Sequence, residues 1–516
     1  MNGSECFDAS KAMKKCEGKS KCCSEQEVAK LFANFRLQVE PEAARLLLSE
    51  CNGNLREIVQ FLAEKHQNSI VISASDVYDF LKMLKKSKIR DFSGFELERA
   101  VESREGIAEG EYIGESLLAV KSEVQSAVRV LKSFVNERPN KDFMPIFRDR
   151  YERLSGILRK RLRSIQISAL KNIMRRNGEG EEFAVIGIVA DIRKTARGNT
   201  IVELEDASGE ISVLIPGDEE IVEDEVIGVS GRISKDMLIA ERVFRPDVPF
   251  SSAARASEEE RMEYAVFISD IHAGSKMFEY ECWNAFLDWL REHSSLITAV
   301  VVAGDIVDGI GVYPEQENDL AVKDVEEQYK IVASSLKRLP TSLPVILSPG
   351  NHDAVRNAEP QPPLPANIQR LFPSNTIFVS NPAYISIGNR TILIYHGQSY
   401  DDFIGAIPRL RYEKPAEVME EMLKRRHLAP IYGKNVSLFP ISYDYGVIEP
   451  VPDILHCGHA HTVGVSQYRR VLLVNSGAWQ SQTSYQKKRG IVPMPCCATL
   501  VELRSLRAKV LSFSFS

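Results

Sequence analysis

The sequence has no long apolar run, no large excess of charge and few aromatic residues. No stretch approaches the roughly 20 apolar residues of a membrane-spanning helix, and the first residues lack the basic start and apolar core of a signal peptide. The net charge of −6 over 516 residues excludes a polycation. Any nucleic-acid-binding surface must therefore be a local patch or be completed by a partner chain. We expect a cytoplasmic protein without a membrane contact.

Cysteine pairs at redox or metal-binding spacing are also missing. The nine cysteines are an odd number and include no C-x-x-C pair, which indicates reduced thiols in a reducing compartment. Cys6, Cys16, Cys22 and Cys23 cluster in residues 1–23, where the irregular spacing favours a disordered tail over a zinc site. No G-x-x-x-x-G-K-[ST] motif occurs, so nucleotide hydrolysis coupled to motion is not indicated.

The chain is long enough for several domains. Residues 24–90 show helical periodicity, and we predict a small helical module that serves docking or packing. Residues 91–180 are predicted to form a charged linker and then a long helical region that runs to about Arg176. The stretch from Arg148 to Arg176 holds ten Lys or Arg residues against two acidic ones. Two interpretations stay open for it, a solvated helix face and a contact with DNA phosphates.

Residues 181–250 change to the alternating pattern of β-strands. Five short strands in fewer than 70 residues predict a small barrel, with strands at 184–189, 200–206, 211–215, 226–229 and 238–243. The order of strands and turns resembles an OB-fold, which binds single-stranded nucleic acid in some proteins and docks proteins in others. Phe183 and Phe244 are the only aromatic residues between positions 183 and 244, which span the predicted strands, so we favour protein docking.

Residues 262–516 contain five apolar strands, each followed by the same kinds of polar residue. The motifs are Asp270-Ile271-His272, Gly304-Asp305-Ile306-Val307-Asp308, Gly350-Asn351-His352-Asp353, His396-Gly397 and Gly458-His459-Ala460-His461. Ligands of layered α/β folds bind beyond the carboxyl ends of strands, so these loops can converge on one site. Alternation along an extended segment would put Asp270 and His272, and likewise His459 and His461, on one side.

These residue types suit hydrolysis of a phosphodiester. That reaction needs a hydroxide nucleophile at neutral pH and neutralisation of phosphoryl charge, and two divalent metal ions about 3.5–4 Å apart supply both. Imidazole, carboxylate and amide-oxygen ligands together suit Mn²⁺, Fe or Zn²⁺ better than an all-oxygen Mg²⁺ site. We expect Mn²⁺, with the other three as alternatives.

The order of the five motifs resembles the calcineurin-like phosphoesterase superfamily, whose fold is a β-sandwich flanked by helices. The resemblance implies that Asp270, His272, Asp305 and His461 hold one metal and that Asp305 bridges to a second, held by Asn351, His396 and His459. His352 would then be free to contact the scissile phosphate and assist the leaving oxygen. By the same resemblance Asp308 and Asp353 brace loops. Gly309 stands where related serine/threonine phosphatases carry arginine, which counts against a protein phosphatase and favours diesterases and nucleases. The remaining histidines, His66, His293, His427 and His456, are interpreted as structural.

Three further segments resemble the family of archaeal DNA polymerase D (polymerase II) small subunits. They are Asn351–Pro365, Tyr395–Asp402 and Asn475–Arg489. The resemblance implies a multidomain α+β protein with a helical module, an OB-fold and a calcineurin-like domain. It also implies a 3′–5′ exonuclease that proofreads single-stranded or mismatched 3′ ends for a large polymerising subunit in a heterodimer. A sliding clamp is a further candidate partner, and the expected location is the archaeal cytoplasm, at the nucleoid.

Two other hypotheses remain. Related B-subunits of eukaryotic polymerases have lost the metal ligands and act as scaffolds, and a recombination-type nuclease of the same superfamily is the third hypothesis. Because every ligand position is filled here, catalysis is favoured over a scaffold. We expect that Asp305→Ala abolishes cleavage while the chain still binds its large subunit.

Overall fold

The computed structural model describes residues 38–39, 71–72, 128–135, 137–176, 180–250 and 263–514. The chain divides into two compact units, Met1–Glu109 and Gly110–Ser516. In the first, strands β1 (Gln38–Val39) and β2 (Val71–Ile72) pair in parallel. The predicted tail, the helices of residues 24–90 and the charged linker otherwise lie outside the described residues. Among those that are described, no helix combines the length and the hydropathy that crossing a bilayer requires.

The second unit contains a closed barrel of five strands, as the sequence predicted. In barrel order the strands are β4 (Glu182–Lys194), β5 (Thr200–Asp206), β6 (Gly209–Ile215), β8 (Met237–Phe244) and β7 (Val226–Ser234). Alternate residues such as Val202 and Leu204 point into the barrel and are fully buried. Phe183 and Phe244 pack against buried apolar clusters, so neither stands free to stack on a base.

The prediction of one long helical region up to Arg176 is wrong. Residues Val128–Ser133 form strand β3, followed by helices α1 (Met144–Arg159) and α2 (Ile167–Met174). Strand β3 pairs antiparallel with a segment about 250 residues later, so no local pattern indicates it. The basic residues of α1 divide into two sets. Arg148 and Arg159 are exposed, as a solvated face or a phosphate contact requires, but the other two are not. Arg150 is fully buried and its Nε lies 2.8 Å from Asp444 Oδ2, and Arg153 pairs with Asp149 and Glu449.

The described residues of the second unit also form two six-stranded sheets. The strands of sheet I are β9 (Tyr264–Ile268), β10 (Ile297–Ala303), β11 (Val345–Ser348), β12 (Thr376–Phe378), β18 (Cys497–Glu502) and β19 (Arg507–Ser512). They lie side by side in the order β12-β11-β10-β9-β18-β19. Sheet II consists of β3 and of β13 (Ala383–Ile387), β14 (Arg390–Ile394), β15 (Ile454–Cys457), β16 (Gly464–Tyr468) and β17 (Val471–Asn475). Its strands lie in the order β16-β17-β15-β14-β13-β3.

The two sheets share one apolar core, which makes them the layers of a sandwich. Phe267 and Val301 of sheet I lie in the same buried cluster as Ile385, Ile394 and Val474 of sheet II. The helices are α3 (Tyr280–Glu292), α4 (Val325–Leu336), α5 (Ala366–Gln369), α6 (Tyr400–Ala406), α7 (Pro415–Arg425) and α8 (Ser484–Arg489), with a 3-10 turn at Gln316–Asn318. Helices α6 and α7 pack on the other face of sheet II through a second cluster.

Strand direction places the predicted motifs at one edge of the sandwich. Strands β9, β10 and β11 run parallel to one another in sheet I, and β14 runs parallel to β15 in sheet II. Parallel neighbours end at the same edge of a sheet, so the loops that follow them are neighbours. All five polar motifs of the sequence follow these strands.

Candidate functional site

The five loops converge on a cleft with a volume of about 190 Å³. Six of the eight residues predicted to have a metal or catalytic role line it, namely His272, Asp305, Asn351, His352, His459 and His461. Asp270 and His396 lie directly beneath and are fully buried. The structure therefore brings together side chains that are up to 191 residues apart in the sequence (270 to 461).

One group of donors consists of Asp270, His272 and His461, whose donor atoms lie within 4.8 Å of one another. The Nε2 atoms of the two imidazoles are 3.0 Å apart. Asp270 Oδ1 lies 3.9 Å from Nε2 of His272 and 3.5 Å from Nε2 of His461. Three donors that face one point in this way can surround a single cation.

A second group centres on Asp305. Its Oδ2 lies 3.2 Å from His396 Nε2 and 3.7 Å from His272 Nε2, so the carboxylate faces both groups of histidines. The Oδ1 atom of Asn351 lies 2.9 Å from the same Nε2 of His396. Asp305 is thus placed so that it would bridge two cations bound by these donors.

His459 lies at the rim of this second group. Its ring centroid is 5.2 Å from that of His396, and its Nε2 lies 3.6 Å from Asp401 Oδ2. Asp401 also accepts a hydrogen bond from the hydroxyl of Tyr412. A carboxylate that the sequence had not assigned to the site therefore orients one of the predicted ligands.

His352 is held at the opposite side of the cleft. Its backbone N–H donates to Asp305 Oδ1 at 2.9 Å, and its Nδ1 lies 2.7 Å from the carbonyl oxygen of Asp308. That carbonyl fixes the proton on Nδ1 and leaves Nε2 for another partner. Burial lowers the pKa of His352 despite the opposing charge of Asp305. The ring is also close enough to His272 and Asp305 to join them as a donor.

The backbone at the site is left-handed at five of the predicted ligands. The φ angles of Asp270, His272, Asp305, His459 and His461 are 51°, 50°, 51°, 65° and 56°. Positive φ is uncommon outside glycine and clusters at functional sites. The sequence predicted that Asp270 and His272, and likewise His459 and His461, face one side because each pair lies on an extended segment. That reason is wrong, since tight turns direct these side chains into the cleft.

Two glycines of the motifs are required by close approach. A Cβ atom at Gly350 would overlap Oδ1 of Asp305, and one at Gly458 would overlap Oδ2 of Asp270 and the side chain of Ser269. Each glycine lets a neighbouring loop come against a carboxylate without displacing it. The glycines of G-N-H-D and G-H-x-H are thus part of the site's geometry.

Several buried polar groups hold the donors in place. Asp308 Oδ1 lies 2.9 Å from His272 Nδ1 and accepts a hydrogen bond from the Gln480 amide at 3.0 Å. Asp353 accepts from the backbone N–H groups of Ile306 and Gly350 and so ties two of the loops together. These contacts fix the orientation of the His272 ring and of the loops. Metal sites depend on hydrogen-bonding groups of this kind behind the ligands.

Two histidines of the site, His272 and His396, lie among carboxylates that favour their protonated forms. Burial acts to lower the pKa of His272, but the hydrogen bond to Asp308 and the charge of Asp305 outweigh it and raise the pKa to about 9. Burial is similarly overcome at His396, where Asp305 raises the pKa to about 10. Burial acts to raise the pKa of Asp305, yet His396 and its other histidine neighbours hold it well below the usual range. A bound cation would take the place of these protons.

The donor set fits divalent transition metals. The described residues at the site offer imidazole nitrogen, carboxylate oxygen and one amide oxygen, with no thiolate among them. That mixture suits Mn²⁺, Fe²⁺ and Zn²⁺. Asp305 would bridge two ions, with Asp270, His272 and His461 on one side and Asn351, His396 and His459 on the other. Asp270 also has a donor atom within 4.8 Å of those of Asp305 and His396.

The histidines interpreted as structural lie away from the cleft. His456 is buried in β15, with Nε2 2.9 Å from Ser476 Oγ, and burial lowers its pKa to about 3. His427 is buried and pairs with Asp444 at 2.9 Å. His293 stacks on Trp289 at the end of α3, and His66 lies outside the described residues.

Flat side chains line the cleft beside His352. Tyr313 lies 6.3 Å from the ring of His352 and stacks on Tyr485 at 4.9 Å with 27° between the planes. The guanidinium of Arg489 lies 5.1 Å from the Tyr485 ring. We call Tyr313, Tyr485 and Arg489 the aromatic ladder. Lys487 and Lys488 are exposed on the same helix, α8, so the mouth is basic as well as aromatic.

The sequence alone did not assign the aromatic ladder or Asp401 to the site. Tyr485 and Arg489 are four residues apart on α8 and so share a helix face, which is a signal available from sequence. Tyr313 lies 172 residues before Tyr485, so nothing local links the two. Asp401 stands five residues after His396, at the start of a helix whose direction was not predicted.

Comparisons with known proteins agree with one another. The sequence model of the DNA polymerase alpha/epsilon B-subunit family matches residues 265–463. The DNA polymerase II small subunit of Archaeoglobus fulgidus is 41% identical over 489 residues, which cover 91% of this chain and 94% of that one. The same-named subunit of Thermoplasma acidophilum is 33% identical over 93% of this chain and 98% of the relative. That of Methanocaldococcus jannaschii is 40% identical over 71% of this chain and 64% of the relative.

Proposed function

We infer the function of this chain from its family. The chain belongs to the small subunits of archaeal DNA polymerase II, because it is 41% identical to one of them over 94% of that relative's length and 33% identical to another over 98%. A small subunit implies a large subunit that polymerises DNA, and the chain is accordingly a component of a DNA polymerase that acts in replication. Family membership by itself does not assign a reaction to the cleft.

We propose that the cleft is the active site of a metal-dependent 3′–5′ exonuclease that hydrolyses DNA phosphodiesters. The observation that carries the proposal is the position of Asp305, whose Oδ2 lies within 3.7 Å of histidines from two different loops. A scaffold would have no use for a buried carboxylate surrounded in this way by imidazoles. The left-handed backbone at five of the donors costs conformational free energy, which a loop with a purely structural role would avoid.

The cofactor fits the chemistry of the donors. Two divalent cations, for which we propose Mn²⁺ with Fe²⁺, Zn²⁺ and Mg²⁺ as alternatives, neutralise phosphoryl charge and activate a water when they are bound. The chain's own part is to orient and to move a proton. Asp308 holds the His272 ring by its Nδ1. The Nδ1–H of His352 is held by the carbonyl of Asp308, and its Nε2 is free of that contact. In the doubly protonated form of the ring, Nε2 is placed to donate its proton to the leaving oxygen.

The mouth of the cleft supports an unpaired DNA end as the substrate. Aromatic faces stack on bases of any sequence, and basic side chains attract the backbone. The aromatic ladder supplies aromatic faces and a basic side chain. Its Tyr313 ring lies 6.3 Å from the ring of His352. A mismatched 3′ end unpairs at lower cost than a matched one, so a narrow cleft reached only by single strands selects errors. Proofreading follows from that selection.

The two folds are part of the same proposal. We assign the five-strand barrel to the OB-fold and the two-sheet sandwich to the calcineurin-like phosphoesterase fold. The barrel's closed strand order and the five metal-ligand motifs at one edge of the sandwich support the assignments. We assign the ranges 181–250 and 262–516 to these domains, with β3 as an additional strand of the second.

A scaffold for the large subunit is the second candidate function. It is favoured by the match to the family of B-subunits of DNA polymerases alpha and epsilon. One experiment separates the candidates: the full chain is incubated with a 3′-labelled, 3′-mismatched primer–template in Mn²⁺ or in EDTA, alone and with the large subunit. Release of mononucleotides in Mn²⁺ supports the exonuclease. No release in either setting, with the complex intact, leaves the scaffold.

A further inference from the structure

A second group of metal donors lies outside the cleft. Glu279, Cys282 and Cys496 each place one donor atom within 4.8 Å of the other two. Cys282 and Cys496 are 5% and 2% exposed, and Glu279 is half-buried. We propose that these three side chains bind one zinc ion, in a site separate from the cleft. This proposal does not depend on the exonuclease proposal, because the cleft contains none of the three residues.

Three separate pieces of backbone deliver the donors. Glu279 is the residue before α3, Cys282 lies in the first turn of that helix, and Cys496 immediately precedes β18. The φ angle of Cys496 is 62°, a conformation that residues with a Cβ adopt at a cost. Two backbone hydrogen bonds hold this conformation, from the Cys496 N–H to the Ala478 carbonyl and from the Phe513 N–H to the Cys496 carbonyl. The Cys496 thiol then lies within 4.8 Å of the donor atom of Cys282.

The donor chemistry selects the ion. Two thiolates and a carboxylate suit zinc and exclude the hard cations Mg²⁺ and Ca²⁺. Zn–S bonds of about 2.3 Å place the ligands of one ion roughly 4 Å apart, in agreement with the spacing here. Binding would convert Zn²⁺, two thiols and one carboxylate into a complex with one negative charge and release two protons to solvent. Three protein donors leave one tetrahedral position for water.

The alternative use of the two cysteines is a disulfide. All four cysteines in the described part of the chain, Cys282, Cys457, Cys496 and Cys497, are free thiols. The nearby carboxylate of Glu279, which accepts a hydrogen bond from the Ser481 hydroxyl, can ligate a cation but has no role in a disulfide. The arrangement therefore favours metal binding, and peptide mapping of the purified protein distinguishes the two states.

The position of this cluster gives the ion a structural effect on the cleft. The N–H of Glu279 donates to the carbonyl of Trp479 at 2.8 Å, and that of Cys496 donates to the carbonyl of Ala478 at 2.8 Å. The N–H of Trp479 in turn donates to the carbonyl of Asp270 at 2.9 Å. An ion held by Glu279, Cys282 and Cys496 would thus fix the segment that supports Asp270 from behind.

Cobalt(II) is the probe that distinguishes this site from the cleft. Thiolate ligands give Co²⁺ a charge-transfer absorption in the near ultraviolet, and the cleft offers only nitrogen and oxygen donors. The reduced, metal-free full chain is titrated anaerobically with Co²⁺, and Zn²⁺ is then added in competition. We expect the absorption to reach full intensity with one Co²⁺ per site and to disappear when Zn²⁺ displaces it.

Matched variants locate the signal. Cys282→Ser and Cys496→Ser should each lose the charge-transfer absorption, while Cys457→Ser, a buried cysteine outside the cluster, should keep it. Glu279→Gln removes no thiol and should weaken Co²⁺ binding by about tenfold or more while keeping the absorption. Because Glu279 is half-buried, that variant tests the site even if a cysteine variant fails to fold. Circular dichroism checks folding in each case.

Three outcomes would overturn the proposal. The first is no thiolate absorption in the folded wild-type chain. The second is an absorption that persists unchanged in both Cys282→Ser and Cys496→Ser, which would place it at other cysteines of the chain. The third is a Cys282–Cys496 disulfide found by peptide mapping in protein whose thiols were alkylated at cell lysis.

Discussion

Asp308 Oδ1 lies 2.9 Å from Nδ1 of His272, and both side chains are almost completely buried. The carboxylate fixes the ring so that Nε2, the atom facing Asp270, Asp305 and His461, is presented to the cleft. Carboxylate–histidine pairs of this kind orient metal ligands and raise their basicity. Asp308 is therefore a positioning residue for the proposed metal centre.

Removal of this carboxylate should weaken metal binding without removing a ligand. We expect Asp308→Asn to raise the Mn²⁺ concentration for half-maximal activity by about 10–100-fold, with activity recovering in excess Mn²⁺. The measurement is mononucleotide release as a function of Mn²⁺ concentration. The control is Asp288→Asn, whose carboxylate pairs with Arg338 on the surface of α3. Unchanged Mn²⁺ dependence in Asp308→Asn would refute the positioning role.

His352 should act in proton transfer and not in holding metal. The variant His352→Gln is expected to lower kcat by about 100- to 10,000-fold and to leave the number of Mn²⁺ ions bound per chain unchanged. Single-turnover cleavage and equilibrium dialysis measure the two quantities. Loss of a bound ion in His352→Gln would instead make His352 a ligand, an arrangement that its proximity to His272 and Asp305 also permits.

The aromatic ladder should contribute to binding of unpaired 3′ ends. Stacking on an aromatic side chain is worth about 1–3 kcal/mol per base, so Tyr485→Leu should raise KM for single-stranded DNA by about 5- to 150-fold with a smaller change in kcat. Tyr432→Leu, at an exposed tyrosine that packs on Phe143 and Phe147 outside the cleft, serves as the control. Equal KM values for Tyr485→Leu and wild type would show that the DNA takes another path.

A buried ion network should make the stability of the fold depend on pH. His427 lies between Asp444 and the N–H of Ala429 and is neutral; burial and the charge of Arg150 lower its pKa to about 4. An unfolded histidine titrates near 6.5, so between about pH 6.5 and pH 4 the unfolded state binds more protons. Stability therefore falls as pH falls through that window.

The variant His427→Gln isolates this contribution. It lacks the titrating group, so the decrease in thermal stability from pH 6.5 to pH 4 should be smaller than in the wild type, by on the order of 1 kcal/mol per pH unit. Thermal unfolding followed by circular dichroism at several pH values gives the difference. Parallel pH profiles for the two proteins would mean that His427 titrates normally.

Much of the fold near the cleft could be predicted because each strand ends in the residues of a motif. The stretch Val345–Ser348 is apolar and is followed by the Gly350-Asn351-His352-Asp353 turn, so strand and loop are both visible locally. The barrel was predictable for a similar reason, since alternation in Thr200–Asp206 and Gly209–Ile215 is interrupted only by a short turn.

What could not be predicted depends on contacts between distant segments. Strand β3 is specified by its pairing with β13, and Arg150 is buried because Asp444, almost 300 residues away, neutralises it. Without that partner the sequence shows only a basic amphipathic segment. The left-handed backbone of Asp270 and His272 was missed because φ is set by the loops packed around it and not by residue type.

The most direct test of the proposed hydrolysis is the rate of mononucleotide release from a 3′-mismatched primer–template by wild type and by Asp305→Asn. Asparagine keeps an acceptor for the His352 N–H but removes the charge that faces both groups of histidines. We predict a loss on the order of 1,000-fold or more, with the thermal stability and the complex with the large subunit retained. A variant that cleaves at the wild-type rate in Mn²⁺ would contradict the proposal that this cleft performs the hydrolysis.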